Sequence, residues 1–264
     1  MGGIPLEKNF FKRLYAYRQL LKTNVKKEIR GKYKKSFLGI LWSFLNPLLQ
    51  LAVYALVFPI ILKNTQDNYL IFLCVALIPW TFFTNTIIQS SFTVISNGNI
   101  VKKVYFPREI LPISINTSNA INFLISTIII LFFILFSGIG FSWYIIFYPL
   151  IFIVQYMLQL GLSFIISSIT VYLRDLEHLI GIFIQLFFYA TPIVYSASTV
   201  PESFQFIMKF NPMAHIISAY RDIFYYQTMP DVKGLLILLC LTIVLSIIGY
   251  KIFNKLQKGF AEEL

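Results

Sequence analysis

Five stretches of this chain, Phe37 to Leu62, Tyr69 to Val94, Ile113 to Ser137, Trp143 to Thr170 and Gly234 to Phe253, hold no Asp, Glu, Arg or Lys apart from Lys251. Each has at least 20 residues, enough at about 1.5 Å per residue to cross a hydrocarbon layer of about 30 Å. A helix satisfies its own backbone polar groups, so such a run can enter lipid where a strand or loop cannot. Lys251 stands at the very end of its run, where a long stem carries the ammonium back to the headgroups. A weaker sixth run begins near His178 and is interrupted at Pro192. The expected spans are 37–62, 69–94, 113–137, 143–170, 178–197 and 234–253. The fold class read from them is an all-α integral membrane protein with six transmembrane helices.

Composition agrees. Of 264 residues 58% are apolar and 12% charged, about half the ~25% charged share of a soluble domain, and the mean hydropathy is +0.74. Disorder is excluded by 27 Phe and 16 Tyr, since low hydrophobicity is what keeps chains unfolded. Cys74 and Cys240 lie inside apolar runs and read as reduced packing residues. The first 36 residues are basic and lack the apolar core of a secretory signal.

Six crossings put both ends on one side. Of the 22 Lys and Arg, 18 fall in the two termini and the two loops on that side, leaving Lys63, Lys209, Arg221 and Lys233 opposite. The positive-inside rule makes the termini cytoplasmic, so the expected location is a cell membrane with both ends on its inner side. The acidic residues divide 7 to 4, and the formal +11 therefore belongs to the cytoplasmic face. Such a face meets lipid headgroups, not nucleic acid.

The chain has no Gly-rich phosphate loop ending in Lys-Ser/Thr, no His/Glu zinc pair at helical spacing and no Cys-x-x-Cys. No cofactor or metal is expected on it. Its histidines, His178 and His215, are far apart in sequence and on opposite predicted faces. No carboxylate sits mid-run, where a proton-coupled carrier would need one. Energy for any transport must come from another polypeptide.

Several segments carry candidate roles. Positions 7–30 wind as an amphipathic helix with Phe10, Leu14, Tyr17, Leu21, Val25 and Ile29 on one stripe and Lys8, Lys12, Lys26, Lys27 and Arg30 opposite. It reads either as a membrane-surface anchor or as a gate. Arg30, Lys32, Lys34 and Lys35 stand just before the first span, where they could meet an anionic headgroup such as a diphosphate. The loop around Asn97–Gly98 leads to Tyr105, Phe106, Arg108 and Glu109. Two exposed aromatics beside a charged pair suit a partner's pocket, or headgroup depth. Arg174, Asp175, Glu177 and His178 read as a solvated cap.

Inside the apolar runs Gln155, Gln159, Ser163 and Ser167 recur every four residues, and Asn116, Asn119 and Asn122 every three. They must face protein or water. Trp42, Ser43, Asn46, Pro47, Gln50 and Tyr54 suggest a kinked, cavity-facing first helix. From Phe187 to Tyr226 eleven aromatics accompany Pro192, Pro201 and Pro212. Two half-helices dipping into the outer leaflet would fit, with Asn211 capping the second and Pro212 at its first position. The aromatics form either an interfacial belt or the lining of a sugar path, since ring faces pack on pyranose faces.

The runs IRGKYKKSFLGILWSFLNPLLQLAVYALVF (29–58), PWTFF (79–83), IVKKVYFPREILP (100–112), YLRDLEHLIG (172–181) and YATPIVYSASTVP (189–201) resemble, in order, ABC-2 type permeases that export O-antigen, capsule, teichoic acid and rhamnan chains. The resemblance spans essentially the whole chain. It implies a half-transporter: a homodimer with two copies of an ATP-binding cassette ATPase subunit that holds ATP and Mg. It also implies a gate helix and basic segment in 1–36, a transmembrane domain over 37–264, a coupling helix near 100–112 and a re-entrant segment near 198–228. The implied cargo is polysaccharide on undecaprenyl diphosphate. On that reading Arg30, Lys32, Lys34 and Lys35 attract the lipid diphosphate. Trp42, Tyr54, Phe187, Phe188 and Tyr189 line the passage, and Tyr105, Phe106, Arg108 and Glu109 transmit the ATPase stroke. Two other readings compete: an exporter of a drug or simple lipid, and a membrane enzyme modifying polyprenyl lipids, for which Asp175 and Glu177 are the one carboxylate pair.

Overall fold

The computed structural model describes residues 10–33, 37, 41–62 and 67–264. Its regular elements are helices: α1 (Phe10–Ala16), α2 (Arg18–Tyr33), α3 (Trp42–Leu62), α4 (Tyr69–Ser96), α5 (Gly98–Lys103), α6 (Ile110–Phe136), α7 (Tyr148–Tyr172), α8 (Leu176–Tyr189), α9 (Gln205–Phe210), α10 (Pro212–Arg221), α11 (Val232–Leu256) and α12 (Phe260–Glu263). Among the described residues four helices are long and apolar enough to cross a membrane: α4, α6, α7 with the turn before it, and α11 with the tail after it. The chain is thus a multi-pass membrane protein.

The first expected span is carried by α3, whose 21 residues make about 31 Å of helix around the apolar run Leu45–Phe58. One expected span is shorter than its sequence suggested. The fifth, expected over 178–197, stops at Tyr189; α8 has 14 residues, about 21 Å of helix. Pro192 has no N–H to continue the ladder, and the chain turns at Thr191, whose hydroxyl bonds back to the Phe187 carbonyl at 2.7 Å.

Loops gather at two ends. At the basic end Lys27 donates to Asn97 Oδ1 at 2.8 Å and the Tyr172 hydroxyl to the Leu256 carbonyl at 2.7 Å. At the other end Tyr69 reaches the Val194 carbonyl at 2.8 Å, and Gln227 Nε2 the carbonyls of Ile139 and Gly140 at 2.8 and 2.9 Å.

Helix α4 is the most enclosed span, and α7 packs beside it with α6 and α11 around. The polar stripes are the glue. Gln155 Nε2 donates to the Pro79 carbonyl at 2.8 Å, Ser90 pairs with Ser163 at 2.9 Å, Asn116 Nδ2 reaches the Tyr156 carbonyl at 3.1 Å and Asn119 Nδ2 reaches Gln89 at 3.3 Å. Gln155, Gln159, Ser163 and Ser167 are all fully buried, so the row faces helices and not a water-filled lumen within this chain. On its other side α7 meets α11 backbone to backbone: a Cβ on Gly249 would stand 2.5 Å from the Gly161 carbonyl oxygen, and Ser246 donates to the Met157 carbonyl at 2.8 Å. Small residues permit this approach.

Candidate functional site

At the basic end three sequence-distant segments meet on one carboxylate. The chain leaves α4 through Asn97, makes the short α5, and turns extended at Val104, the C-cap of that helix. Pro107 keeps the preceding residue out of the helical region, so the stretch expected as a coupling helix over 100–112 consists of α5, an irregular link through 104–109 and the first turn of α6. That link turns Glu109 inward. Arg13 of α1 forms an ion pair with it at 2.7 Å, with the two side chains only 12% and 3% exposed. Arg13 also donates to the Tyr250 hydroxyl of α11. Burial pushes the Glu109 carboxyl above the usual carboxylate range, while a backbone hydrogen bond and the Arg13 charge pull it back.

Around this pair the link is clamped from the carboxyl-terminal side. Arg108 donates to the Gln257 carbonyl and lies over the Phe260 ring at 5.8 Å. Phe106 is buried with Val101, Phe164, Phe253 and Phe260, and Phe10, Leu14, Tyr17 and Leu21 of the amino-terminal helices pack on that cluster. Tyr105 alone of the four candidate residues projects, 71% exposed. The expectation of two exposed aromatics beside an Arg108–Glu109 pair is therefore corrected. Phe106 belongs to the core, Glu109 pairs with Arg13, and Arg108 binds the carboxyl-terminal turn. Arg13 and Tyr250 went unnoticed in the sequence. The available signal was a cation on the apolar stripe: Arg13 is three residues from Phe10 and four from Tyr17, on the face that packs inward.

The second candidate region is aromatic. Tyr54 of α3 meets Phe188 of α8 at 5.9 Å between ring centroids. Phe187 and Phe188 meet Trp80 of α4 at 5.9 and 5.7 Å, and Phe187 also meets Phe83 at 6.0 Å. Tyr189 stands edge-on to Phe188 at 5.4 Å and is 63% exposed. Trp80 and Phe83 fall in the PWTFF run but were not picked out as lining residues. Trp42 lies 12 residues before Tyr54, about 18 Å along the helix. Of the headgroup candidates, Arg30 is exposed on α2 and Lys32 lies in its last turn, whereas Lys34 and Lys35 lie outside the described residues.

Two short helices, α9 and α10, lie between α8 and α11, and the second is capped as its sequence suggests. Asn211 Oδ1 accepts from the Met213 and Ala214 amides at 2.9 and 3.2 Å, with Pro212 opening α10. The other side of the Asn211 amide reaches the Ala190 carbonyl at 3.1 Å and Thr191 at 2.9 Å. Arg221, 3% exposed, donates to the Pro192 and Ile193 carbonyls, both at 2.6 Å, and stacks over Phe72 at 3.5 Å. Asn211 thus satisfies the carbonyl at the α8 C-cap, and Arg221 those of the turn that follows it.

The fold defines a multi-pass helical membrane protein whose amino-terminal helix, inter-span loop and carboxyl-terminal tail interlock at one basic end. The chain belongs to the ABC-2 type transporter family, whose pattern matches residues 19–225. Among curated relatives it is similar to an O-antigen export system permease protein of Klebsiella pneumoniae, 37% identical over 249 residues, 93% of this chain and 95% of the relative. A second Klebsiella pneumoniae permease of that name is 35% identical over 249 residues, with the same shares covered. One from Myxococcus xanthus is 32% identical over 253 residues, 95% of this chain and 97% of the relative.

Proposed function

We propose that this chain is the membrane-embedded half of an exporter that carries a lipid-linked, O-antigen-type polysaccharide from the cytoplasm to the outer face of the bacterial inner membrane. The observation that carries this is 32–37% identity over nearly the full length to permeases named for O-antigen export. ATP is hydrolysed on a separate ATP-binding subunit, in keeping with the absence of a phosphate loop here. Two copies of the chain join two of that subunit. In each copy α3 and α8 add to the four long spans to make six crossings, with α8 completed by the break at 190–195. Both termini are cytoplasmic, as the excess of Lys and Arg at the basic end suggests.

The conduit runs between the two copies, past Tyr54, Phe187, Phe188 and Tyr189, with Trp42 near its cytoplasmic mouth. Helix α8 leaves Leu179, Ile182, Phe183, Leu186 and Tyr189 uncovered on one stripe, a face that a second copy closes. Tyr105 is the contact offered to the ATPase. Phe106, Arg108 and Glu109 fix the link behind it, so that a push on Tyr105 reaches α1 through Arg13. Arg30 with Lys32, Lys34 and Lys35 receives the diphosphate of the undecaprenyl carrier. The α9–α10 pair dips into the outer leaflet and narrows the exit.

The test is co-purification of the chain with its ATPase, reconstitution, and ATP turnover with and without lipid-linked oligosaccharide, together with surface glycan in cells lacking the native gene. Turnover stimulated by the glycolipid and restored surface glycan support the reading. Stimulation by simple lipids or drugs with no surface glycan would place the chain with exporters of those compounds.

A further inference from the structure

At the end of the molecule opposite Arg13, α11 rises past α7 and α10 and leaves a cleft of about 430 Å3 between them. That is the size of a small-molecule site (about 300–1,000 Å3). Its walls are apolar: Leu158 of α7, Pro212 of α10 and Leu238, Leu241 and Leu245 of α11. Polar groups stand at the cleft where α10 and α11 begin: Lys209, His215 and Asp231. The His215 ring is 3.0 Å from the Lys209 carbonyl, which ties the residue carrying the ammonium to the first turns of α10. Asp231 caps α11, with Oδ1 accepting from the Gly234 amide at 3.0 Å. Among the described residues, Lys209 and Asp231 line one cleft but form no ion pair, with each other or with a third group.

We infer that this cleft is a binding site for a zwitterionic phospholipid of the leaflet opposite the basic end. One acyl chain lies in the apolar slot, the phosphate meets Lys209 and the headgroup ammonium meets Asp231. Charge complementarity selects the class. An anionic phospholipid would satisfy Lys209 but set its net negative charge against Asp231, whereas phosphatidylethanolamine presents one charge of each sign to one partner of each sign. The acyl chain gains little from leaving one apolar medium for another, so selectivity rests on the headgroup. The site lies between α7, α10 and α11, shares no residue with the Tyr54–Phe188 cluster, and does not depend on the transport reading.

The experiment is native mass spectrometry of the full chain with its ATPase, extracted from membranes holding phosphatidylethanolamine and phosphatidylglycerol. One phosphatidylethanolamine per permease chain is expected to survive extraction. Leu238→Trp, which fills the slot, should lower its occupancy at least fivefold. Asp231→Asn keeps the helix cap but removes the charge, and should shift retention at least threefold toward phosphatidylglycerol; Lys209→Gln should lower retention of both. If Leu238→Trp does not assemble, the Asp231→Asn shift still decides the matter. Equal retention of both lipids by the wild type, retention of a polyprenyl phosphate in their place, a second chain seated on α11, or no response to Asp231→Asn would overturn the assignment.

Discussion

Replacing Arg13 by Met keeps the packing stem but leaves Glu109 enclosed without a cation. The cost has a ceiling, because the carboxyl can escape by taking a proton. A free glutamate titrates near pH 4.3, so forced protonation costs about 4 kcal/mol at pH 7.5 and about 1 kcal/mol at pH 5. Removing one partner of a buried pair costs about 3–5 kcal/mol; Arg13 keeps a little solvent contact, so a loss of about 2–3 kcal/mol is expected at pH 7.5. The sign follows from linkage. Burial raises the folded-state titration of Glu109 above its unfolded value, so its contribution is present at low pH and fades as pH rises through the folded value. Losing Arg13 moves that folded value further up. The variant's deficit should therefore be about 1 kcal/mol or less at pH 5 and grow toward pH 7.5. Adding Glu109→Gln should recover most of the loss at pH 7.5, since a neutral amide can stay buried beside Met at lower cost. Thermal unfolding of the detergent-solubilised protein, followed by tryptophan fluorescence at both pH values, measures this. An equal deficit at the two pH values, or no recovery with Glu109→Gln, would refute the buried-pair argument.

Tyr105→Ala should leave the melting temperature unchanged while lowering glycan export per ATP hydrolysed, read in the reconstituted complex; unchanged coupling would remove Tyr105 from the ATPase contact. Gly249→Val drives a side chain into the Gly161 carbonyl and should cost at least about 2 kcal/mol, whereas Gly181→Ala, in open space, should cost nothing or stabilise α8 by up to about 1 kcal/mol; comparing the two melting curves checks the α7–α11 crossing. Arg221→Lys cannot hold two carbonyls in one fork and should lose about 2 kcal/mol, visible as faster proteolysis after Lys209. Trp80→Ala removes the hub of the aromatic cluster and should cost about 3–5 kcal/mol, against under about 0.5 kcal/mol for exposed Tyr189→Ala.

Much of this fold was legible in one dimension. The apolar runs located α4, α6, α7 and α11 within a few residues, because a lipid-crossing helix must be uncharged along its length. The Asn211–Pro212 cap was legible because capping is local chemistry. The length of α8 was less so: Pro192 marked the interruption, but the helix ends three residues before it, and the turn beyond is held by Arg221, 29 residues after Pro192, whose carbonyl it binds. Phe106 and Tyr105 are adjacent aromatics in one irregular link. Nothing in their order says that one is buried under Phe260 and the other projects.

Sequence alone determined that this chain lives in a bilayer and which end is basic. Those properties follow from summed transfer free energies and charge counts, which do not depend on which helix lies beside which. Only the tertiary structure decided that Glu109 pairs with an Arg13 that Tyr250 also holds, that the Gln155–Ser167 row is buried among helices, and that Phe188 joins Tyr54 to Trp80. Each rests on contacts between residues at least 73 positions apart in the chain. Such contacts are set by the packing of helices that the order of residues along one helix does not specify.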